Sequence, residues 1–275
     1  MTLPVRSMAR TAQPRVARAS AGISPARVLA AVVLLASASG LYGVSSSDAF
    51  ALDRLEIAGG RYTSPERVRD RLGLVSSARP NLFRLQTEPI RRILLGLPAV
   101  RDANVSVVLP DRVFITLEER APILVWQQGR RRFLVDVEGR LFAATPEKDA
   151  AGVDLPVVVD NRRSAGELRV GADLSPVDLA VVRQLGALTP LTIGSQAKEV
   201  RLTVDDHEGF TLSAEPNLWR AIFGFYTPSL RTADIVPAQV QCLTALVDRG
   251  ERSLRRVYLA PSGQRCGTFR AAGAP

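Results

Sequence analysis

Between Arg27 and Asp48 the chain carries no formal charge. Those twenty residues, Val28 to Ser47, open with VLAAVVLL and continue into a small-residue stretch, ASASGLYGV. A helix of that length rises about 30 Å, one hydrocarbon core, so the run predicts a transmembrane helix over 28–47. Arg6, Arg10, Arg15, Arg18 and Arg27 precede it without a single acid. The positive-inside rule then keeps residues 1–27 in the cytoplasm as a basic tail and places the rest of the chain outside. Ala36-Ser37-Ala38 also fits a signal-peptidase site, so a cleaved export signal and a buried soluble helix stay open beside the retained anchor. The long leading tail and the extension through Gly40–Val44 favour the anchor. Either export reading delivers the same folded region to the same compartment.

The asymmetry disposes of a first impression from charge. The 36 Lys plus Arg against 27 Asp plus Glu give +9, and only Lys148 and Lys198 are lysines. With five arginines ahead of residue 48, the remainder holds 31 basic groups against the same 27 acids, too even a balance for a nucleic-acid surface. Gln127–Arg132 and the Arg67, Arg69, Arg71 series read as solvated turn and helix surfaces. At 46% hydrophobic and 23% charged the chain is neither collagenous nor disordered. Cys242 and Cys266 face an oxidising space in which a disulfide forms readily, but the sequence leaves their pairing open, because nothing in it fixes the Cα separation.

Periodicity divides the exported part. Leu55-Glu56-Ile57 alternates as a strand and stops at Gly59-Gly60. Ser64-Pro65 is an N-cap and first-position pair for a helix carrying Val68 and Leu72. Thr87 is a second N-cap, followed by Ile90, Ile93, Leu94 and Leu97 on one helical stripe that Pro98 closes. Val105, Val107, Leu109 and Val113, Ile115, Leu117 are two alternating segments around Leu109-Pro110-Asp111-Arg112. The unit is β-α-α-β-β over 51–120. From 121 to 270 the pattern is mainly strands: Ile123–Trp126, Phe133–Val135, Leu141–Phe142, Leu155–Val159, the hairpin Val200–Val204 with Phe210–Ser213, Trp219–Phe225, Ser253–Ala260 and Gln264–Phe269. Helices start at Ser175-Pro176 and over Ala238–Val247, and residues 271–275 form a flexible tail. The fold class is therefore α+β: one spanning helix, a β-α-α-β-β domain, and a mainly antiparallel β-domain with packed helices.

Catalytic constellations do not emerge. The single histidine, His207, sits in the turn Asp205-Asp206-His207-Glu208-Gly209, where adjacent side chains diverge. Neither cysteine has zinc-ligand spacing, phosphate-binding glycine motifs and a nucleophile elbow are absent, and Glu118-Glu119 nominates no cleft. No catalytic, cofactor-binding or metal site is expected, and the chain reads as one that works by contact.

The ordered set Leu55-x-Ile57-x-Gly59, Asn81-Leu82-Phe83, Leu97-Pro98-Ala99-Val100-Arg101-Asp102-Ala103, Val105, Leu109-Pro110, Ile115-x-Leu117-x-Glu119-Arg120-x-Pro122 and Leu134-Val135-Asp136-x-x-Gly139-x-Leu141-Phe142 resembles the bacterial division family FtsQ/DivIB. The likeness is firm over 52–143 and looser beyond. The 215–237 segment is longer and more aromatic than that family's pattern, and the last strand is more polar. The resemblance implies a POTRA domain followed by an FtsQ-type β-domain, no catalysis, and a single-pass protein of the cell membrane at the division septum. It also implies contact with FtsB/FtsL-like coiled-coil proteins and other divisome components, with neither nucleic acid nor a small-molecule substrate. Through the last strand it implies a partner site at Gln264, Arg265, Cys266, Gly267, Thr268 and Phe269, reached by strand addition. Arg265 suits either the docking or the guarding of an edge, and Glu119-Arg120 either a joint between domains or a solvated pair. The rivals are another POTRA-bearing envelope assembly or secretion factor and an exported enzyme.

Overall fold

The computed structural model describes residues 24–73, 79–146, 155–216, 218–261 and 266–271. The tail before residue 24, the turn residues Ser262 and Gly263, the site residues Gln264 and Arg265, and residues 272–275 lie outside the described residues.

Helix α1 spans Pro25–Ser45. The Ser24 hydroxyl accepts the Arg27 N–H at 3.4 Å, and Pro25 at the first position sacrifices no helical hydrogen bond. The helix is displaced by a few residues from the uncharged run, because the Ser-Pro pair before Arg27 starts it early. It has a hydropathy of 1.9 and no buried residue. A helix apolar around its whole circumference that packs on no protein is long and apolar enough to cross a bilayer.

The first unit contains β1 (Arg54–Ala58), α2 (Pro65–Leu72), α3 (Thr87–Leu95), β2 (Val100–Val108) and β3 (Arg112–Glu119). The sheet order is β1-β3-β2, with β1 parallel and β2 antiparallel to the central strand. Val113, Ile115 and Leu117 of β3 are buried against Val68, Leu94 and Leu97, each side chain stabilising by roughly 1.5–3 kcal/mol. Leu55, Ile57, Val105 and Val107 pack partly buried on the same core, whereas Leu109 is exposed. Ser64 caps α2 as its sequence indicates. The α3 boundaries differ from expectation: Gln86 is the N-cap and Gly96 the C-cap, with Thr87 already helical and Pro98 two residues beyond. Gly59 turns the chain out of β1 at φ 87°, where a Cβ would stand 2.2 Å from the Leu117 carbonyl oxygen.

Glu119 and Arg120, at the exit of this unit, are a joint and not a solvated pair. The Glu119 carboxylate accepts the backbone N–H groups of Arg61, Tyr62 and Thr63 at 2.6, 2.8 and 2.7 Å. Arg120 donates to Asp136 and, at 2.7 Å, to Glu138 in the second unit. Beside them Ala99 and Tyr62 pack on Val125, Leu134 and Phe142, Tyr62 meeting Phe142 edge-on at 5.2 Å. An apolar patch and a half-buried ion cluster thus seat one unit on the other.

The second unit holds β4 (Pro122–Gln128), β5 (Arg131–Asp136), β6 (Leu141–Ala144), β7 (Val157–Asp160), β8 (Glu199–Asp205), β9 (Gly209–Glu215), β10 (Arg220–Gly224), β11 (Leu254–Leu259) and β12 (Gly267–Ala271). They form one sheet, ordered β12-β11-β10-β9-β8-β7-β4-β5-β6. Five of its adjacent pairs are antiparallel and three, β4–β7, β7–β8 and β10–β11, are parallel. Helices α4 (Pro176–Leu185) and α5 (Val236–Gly250) supply Val181, Val182, Leu185, Val236, Leu243 and Val247 to the core over one face. Buried within it, the Trp126 indole donates to Asp160 at 3.2 Å. Arg162 bridges Asp160 and Asp178 at 2.8 and 3.0 Å. Burial alone would depress this guanidinium, but the two carboxylates outweigh it and hold the charge.

Glu251, just after α5, fastens the helix to the β8 approach. It receives the Ser195 hydroxyl, the Gln196 N–H at 2.8 Å and the Trp219 indole N–H at 2.7 Å. Burial pushes its carboxyl up, yet these donors, Ser195 foremost, prevail and hold it below its ordinary value of 4.5. A carboxyl depressed in the folded state stabilises above its unfolded value, and that stabilisation disappears as pH falls through the folded value. Replacing Glu251 with Gln is therefore expected to destabilise the chain at pH 7 by about 1–3 kcal/mol and by progressively less below pH 4.5. Urea melts of both proteins across pH 3–7 check this; a difference independent of pH would refute it.

Candidate protein-interaction edge

Strand β12 is the outermost strand at one end of the nine-stranded sheet. It runs antiparallel to β11, with Gly267 opposite Leu259, Thr268 opposite Tyr258, Phe269 opposite Val257 and Arg270 opposite Arg256. Every residue from Gly267 to Ala271 is exposed. Of the expected strand Gln264–Phe269, Gly267, Thr268 and Phe269 lie in β12, which runs on to Ala271, assigned to the tail by sequence; Gln264 and Arg265 lie outside the described residues. Cys266, just before the strand, accepts the Ala260 N–H at 3.3 Å and is joined in a disulfide to Cys242 of α5 across a Cα separation of 5.3 Å. The two cysteines are thus paired, and the bond anchors the start of the edge strand to the helix beneath the sheet.

Two further features set the strand in place. Gly267 has φ 109°, and a Cβ there would meet the Tyr258 carbonyl oxygen at 1.9 Å, so only glycine fits where the chain leaves the disulfide and enters the ladder. On the helix side, buried Gln239 of α5 donates to the Ala260 carbonyl at 2.9 Å and accepts from the Tyr226 hydroxyl at 2.6 Å. Burial raises the Tyr226 phenol far above its ordinary range. Arg231 lies 5.2 Å from the Tyr226 ring centroid and donates to the Phe223 carbonyl. The long aromatic 215–237 segment is thus a brace for the ends of β10 and β11.

The register reveals two rows across the sheet that no linear reading contains. On the helix-covered face Phe133, Trp126, Val158, Leu202, Leu212, Ala221 and Val257 lie side by side and are all buried. Phe269 ends that row on β12 and is 51% exposed. On the opposite face Arg201, Ser213, Arg220, Arg256 and Arg270 are laterally aligned. Glu208 holds Arg220 at 2.8 Å and Arg256 at 3.4 Å, while Arg270, at the free end, has no carboxylate partner among the described residues. The edge therefore offers a backbone ladder, an apolar side chain on one face and a cation on the other. Sequence reasoning found Phe269 and missed Arg270, whose signal is its cross-strand alignment.

The turn containing His207 has a local use. The Asp205 carboxylate accepts the N–H groups of His207 and Glu208 at 2.8 and 2.7 Å, and Asp206 accepts the Arg163 N–H at 2.6 Å. Three-membered His/Cys/Asp/Glu clusters suited to a metal are absent among the described residues.

Comparison with known proteins matches residues 50–120 to the model of the POTRA domain, FtsQ-type. Over 179 residues the chain is 29% identical to the cell division protein FtsQ of Chloroflexus aggregans, covering 65% of this chain and 63% of that protein. It is 30% identical over 149 residues to FtsQ of Agrobacterium fabrum, covering 50% and 46%, and 31% identical over 123 residues to FtsQ of Burkholderia pseudomallei, covering 44% and 47%. The chain thus aligns with just under two thirds of the Chloroflexus relative's length. The matched domain, the β-α-α-β-β topology behind an apolar helix, and the relatives agree: residues 50–120 are a POTRA domain of the FtsQ type, and the chain is similar to cell division proteins FtsQ.

Proposed function

We propose that this chain is a non-catalytic, membrane-anchored scaffold of the bacterial division machinery that promotes septum formation. In this reading α1 is retained as a single-pass anchor of the cell membrane, with residues 1–27 cytoplasmic. The POTRA domain (51–120) and the β-domain (121–270) then stand on the extracytoplasmic side at the septum. Support comes from the relatives, each a cell division protein, and from one observation above all: the exposed edge strand β12, fastened at its origin by a disulfide. A tethered open strand suits the addition of a partner strand by backbone pairing. The partner class is an FtsB/FtsL-like coiled-coil division protein, joined by residues around Gln264, Arg265, Cys266, Gly267, Thr268 and Phe269. Its strand would pair with β12, set an apolar side chain beside Phe269 and bring a carboxylate to Arg270.

A fluorescent fusion is expected to concentrate at the septum and to co-purify FtsB/FtsL-like proteins. Deleting residues 264–275 is expected to abolish that recovery while the POTRA domain stays folded. Diffuse envelope fluorescence without such partners would overturn the scaffold reading; undiminished recovery after the deletion would overturn the strand assignment.

A further inference from the structure

The 21 residues of α1 rise about 31 Å, one hydrocarbon thickness. A span of that length leaves Ser46–Phe50 in the headgroup layer, which is about 5–7 Å deep on each side. The first domain begins there without a spacer. Asn81 donates its side-chain amide to the Ser47 carbonyl at 3.1 Å, and the Leu82 N–H reaches the Phe50 carbonyl at 2.8 Å. Phe83 meets Phe50 edge-on at 4.7 Å, and the Arg84 guanidinium stands 5.9 Å from the ring centroid of Tyr42, on α1 itself. From the other side the β2–β3 turn comes to the same end of the domain, where the Asp53 and Arg54 N–H groups donate to the Asp111 carbonyl at 2.9 and 3.1 Å. Two segments distant in sequence thus flank the point where the chain leaves the span. Each carries a large apolar side chain that the protein does not cover: Phe83 is 50% exposed, and Val108 and Leu109 are 48% and 49% exposed.

Resting on the reading of α1 as a membrane span, we propose that this end of the POTRA domain is a lipid-contact surface. Phe83 and the Val108-Leu109 turn enter the outer surface of the bilayer beside α1, and Arg84 lies at phosphate level. Aromatic rings and arginines of this kind are the interfacial anchors of membrane proteins. The occupant is phospholipid because hydrogen bonds tie the surface to residues that the span already places among headgroups. The contact fixes the domain's tilt on the membrane, and with it the direction in which β12 is presented.

The test reconstitutes the full chain into vesicles of phosphatidylcholine and phosphatidylglycerol, with or without bromine on the upper acyl chain. Trp126 and Trp219, 0% and 3% exposed, form a background that contact quenchers do not reach. Tryptophan is added at one site at a time: Phe83→Trp, Leu109→Trp, Tyr42→Trp within α1, and Arg101→Trp. The last lies at the far end of β2, seven residues and about 23 Å from Val108. In brominated vesicles the added emission of F83W and L109W is expected to be lost, as is that of Y42W, while R101W keeps its own. L109W repeats the measurement from an independent segment if F83W fails to fold. Quenching of Y42W without quenching of F83W and L109W overturns the lipid contact and leaves the span intact. Absence of quenching at Y42W removes the membrane reading and the contact with it. Equal quenching of R101W overturns the assignment to this end.

Discussion

Substituting alanine for Gly267 is expected to detach the edge strand without unfolding either domain. The backbone stands at φ 109°, where an L-residue is strained, and the new Cβ would lie 1.9 Å from the Tyr258 carbonyl oxygen and 2.9 Å from the Ala260 nitrogen. Those are backbone atoms of β11 and of the residue that follows it, so no side chain can swing aside. Relief comes from moving the first residues of β12 away from Leu259 and Tyr258, their cross-strand partners. Holding an unsuitable residue in such a region costs about 1–3 kcal/mol, and 2 kcal/mol lowers the ratio of docked to detached strand about thirty-fold. On the proposed role of β12, partner recovery should fall, since the incoming strand needs the edge in register. Little buried apolar area is lost, because β12 is exposed throughout, so the main urea transition should hardly move. Amide exchange on Thr268–Arg270 together with partner pull-down checks both halves. Unchanged exchange protection would refute the steric argument, and faster exchange with undiminished recovery would refute the role of the strand.

What the sequence discloses depends on the range of the interaction that decides each feature. The strands and helices of the POTRA domain are legible because alternation and the Ser64-Pro65 start are local, and because the β3 residues Val113, Ile115 and Leu117 must all face one core. Helix ends are less so: the N-cap of α3 at Gln86 rather than Thr87 turns on a difference of one residue. Strand β12 shows the limit more sharply. Expected over Gln264 to Phe269, it runs on to Ala271, and its origin is fixed by the bond from Cys266 to Cys242. That anchorage comes from a residue 24 positions away on α5, which no local pattern reports. The parallel contacts β4–β7, β7–β8 and β10–β11 are likewise products of long connections.

The site divides in the same way. Phe269 is recognisable as an apolar residue near the end of a strand. Its meaning comes from the register: it terminates a lateral row of seven buried residues, leaving the inner face of the sheet uncovered at one position. Arg270 looks in sequence like one arginine among 34. Its distinction is its position at the free end of a row whose inner members, Arg220 and Arg256, already share Glu208. Glu119 and Arg120 make the same point for the domain joint, since the three backbone donors from Arg61 to Thr63 and the acids Asp136 and Glu138 come from opposite sides of the pair.

Removing the Cys242–Cys266 bond is expected to lower stability by about 3 kcal/mol, because the bond closes a segment of 24 residues in the unfolded chain. In the folded state the same bond works locally. Cys242 is buried on α5, whose Leu243 and Val247 belong to the core, so the helix cannot follow a strand that drifts. Cys266 is exposed and stands one residue before the strained glycine. Without the bond, the entry to β12 retains one backbone contact, Ala260 N–H to the Cys266 carbonyl at 3.3 Å. The C242A/C266A double variant avoids a lone thiol and isolates the cross-link. In urea its midpoint should fall by the amount corresponding to that free energy, with the slope of the transition altered only through the less constrained unfolded state. Its partner recovery should fall as in G267A, although the chemistry of the two changes differs. A midpoint equal to that of the oxidised chain would refute the stability argument. Full partner recovery by both variants would show that β12 needs neither tether nor turn to be read, and would move the interaction to another part of the β-domain.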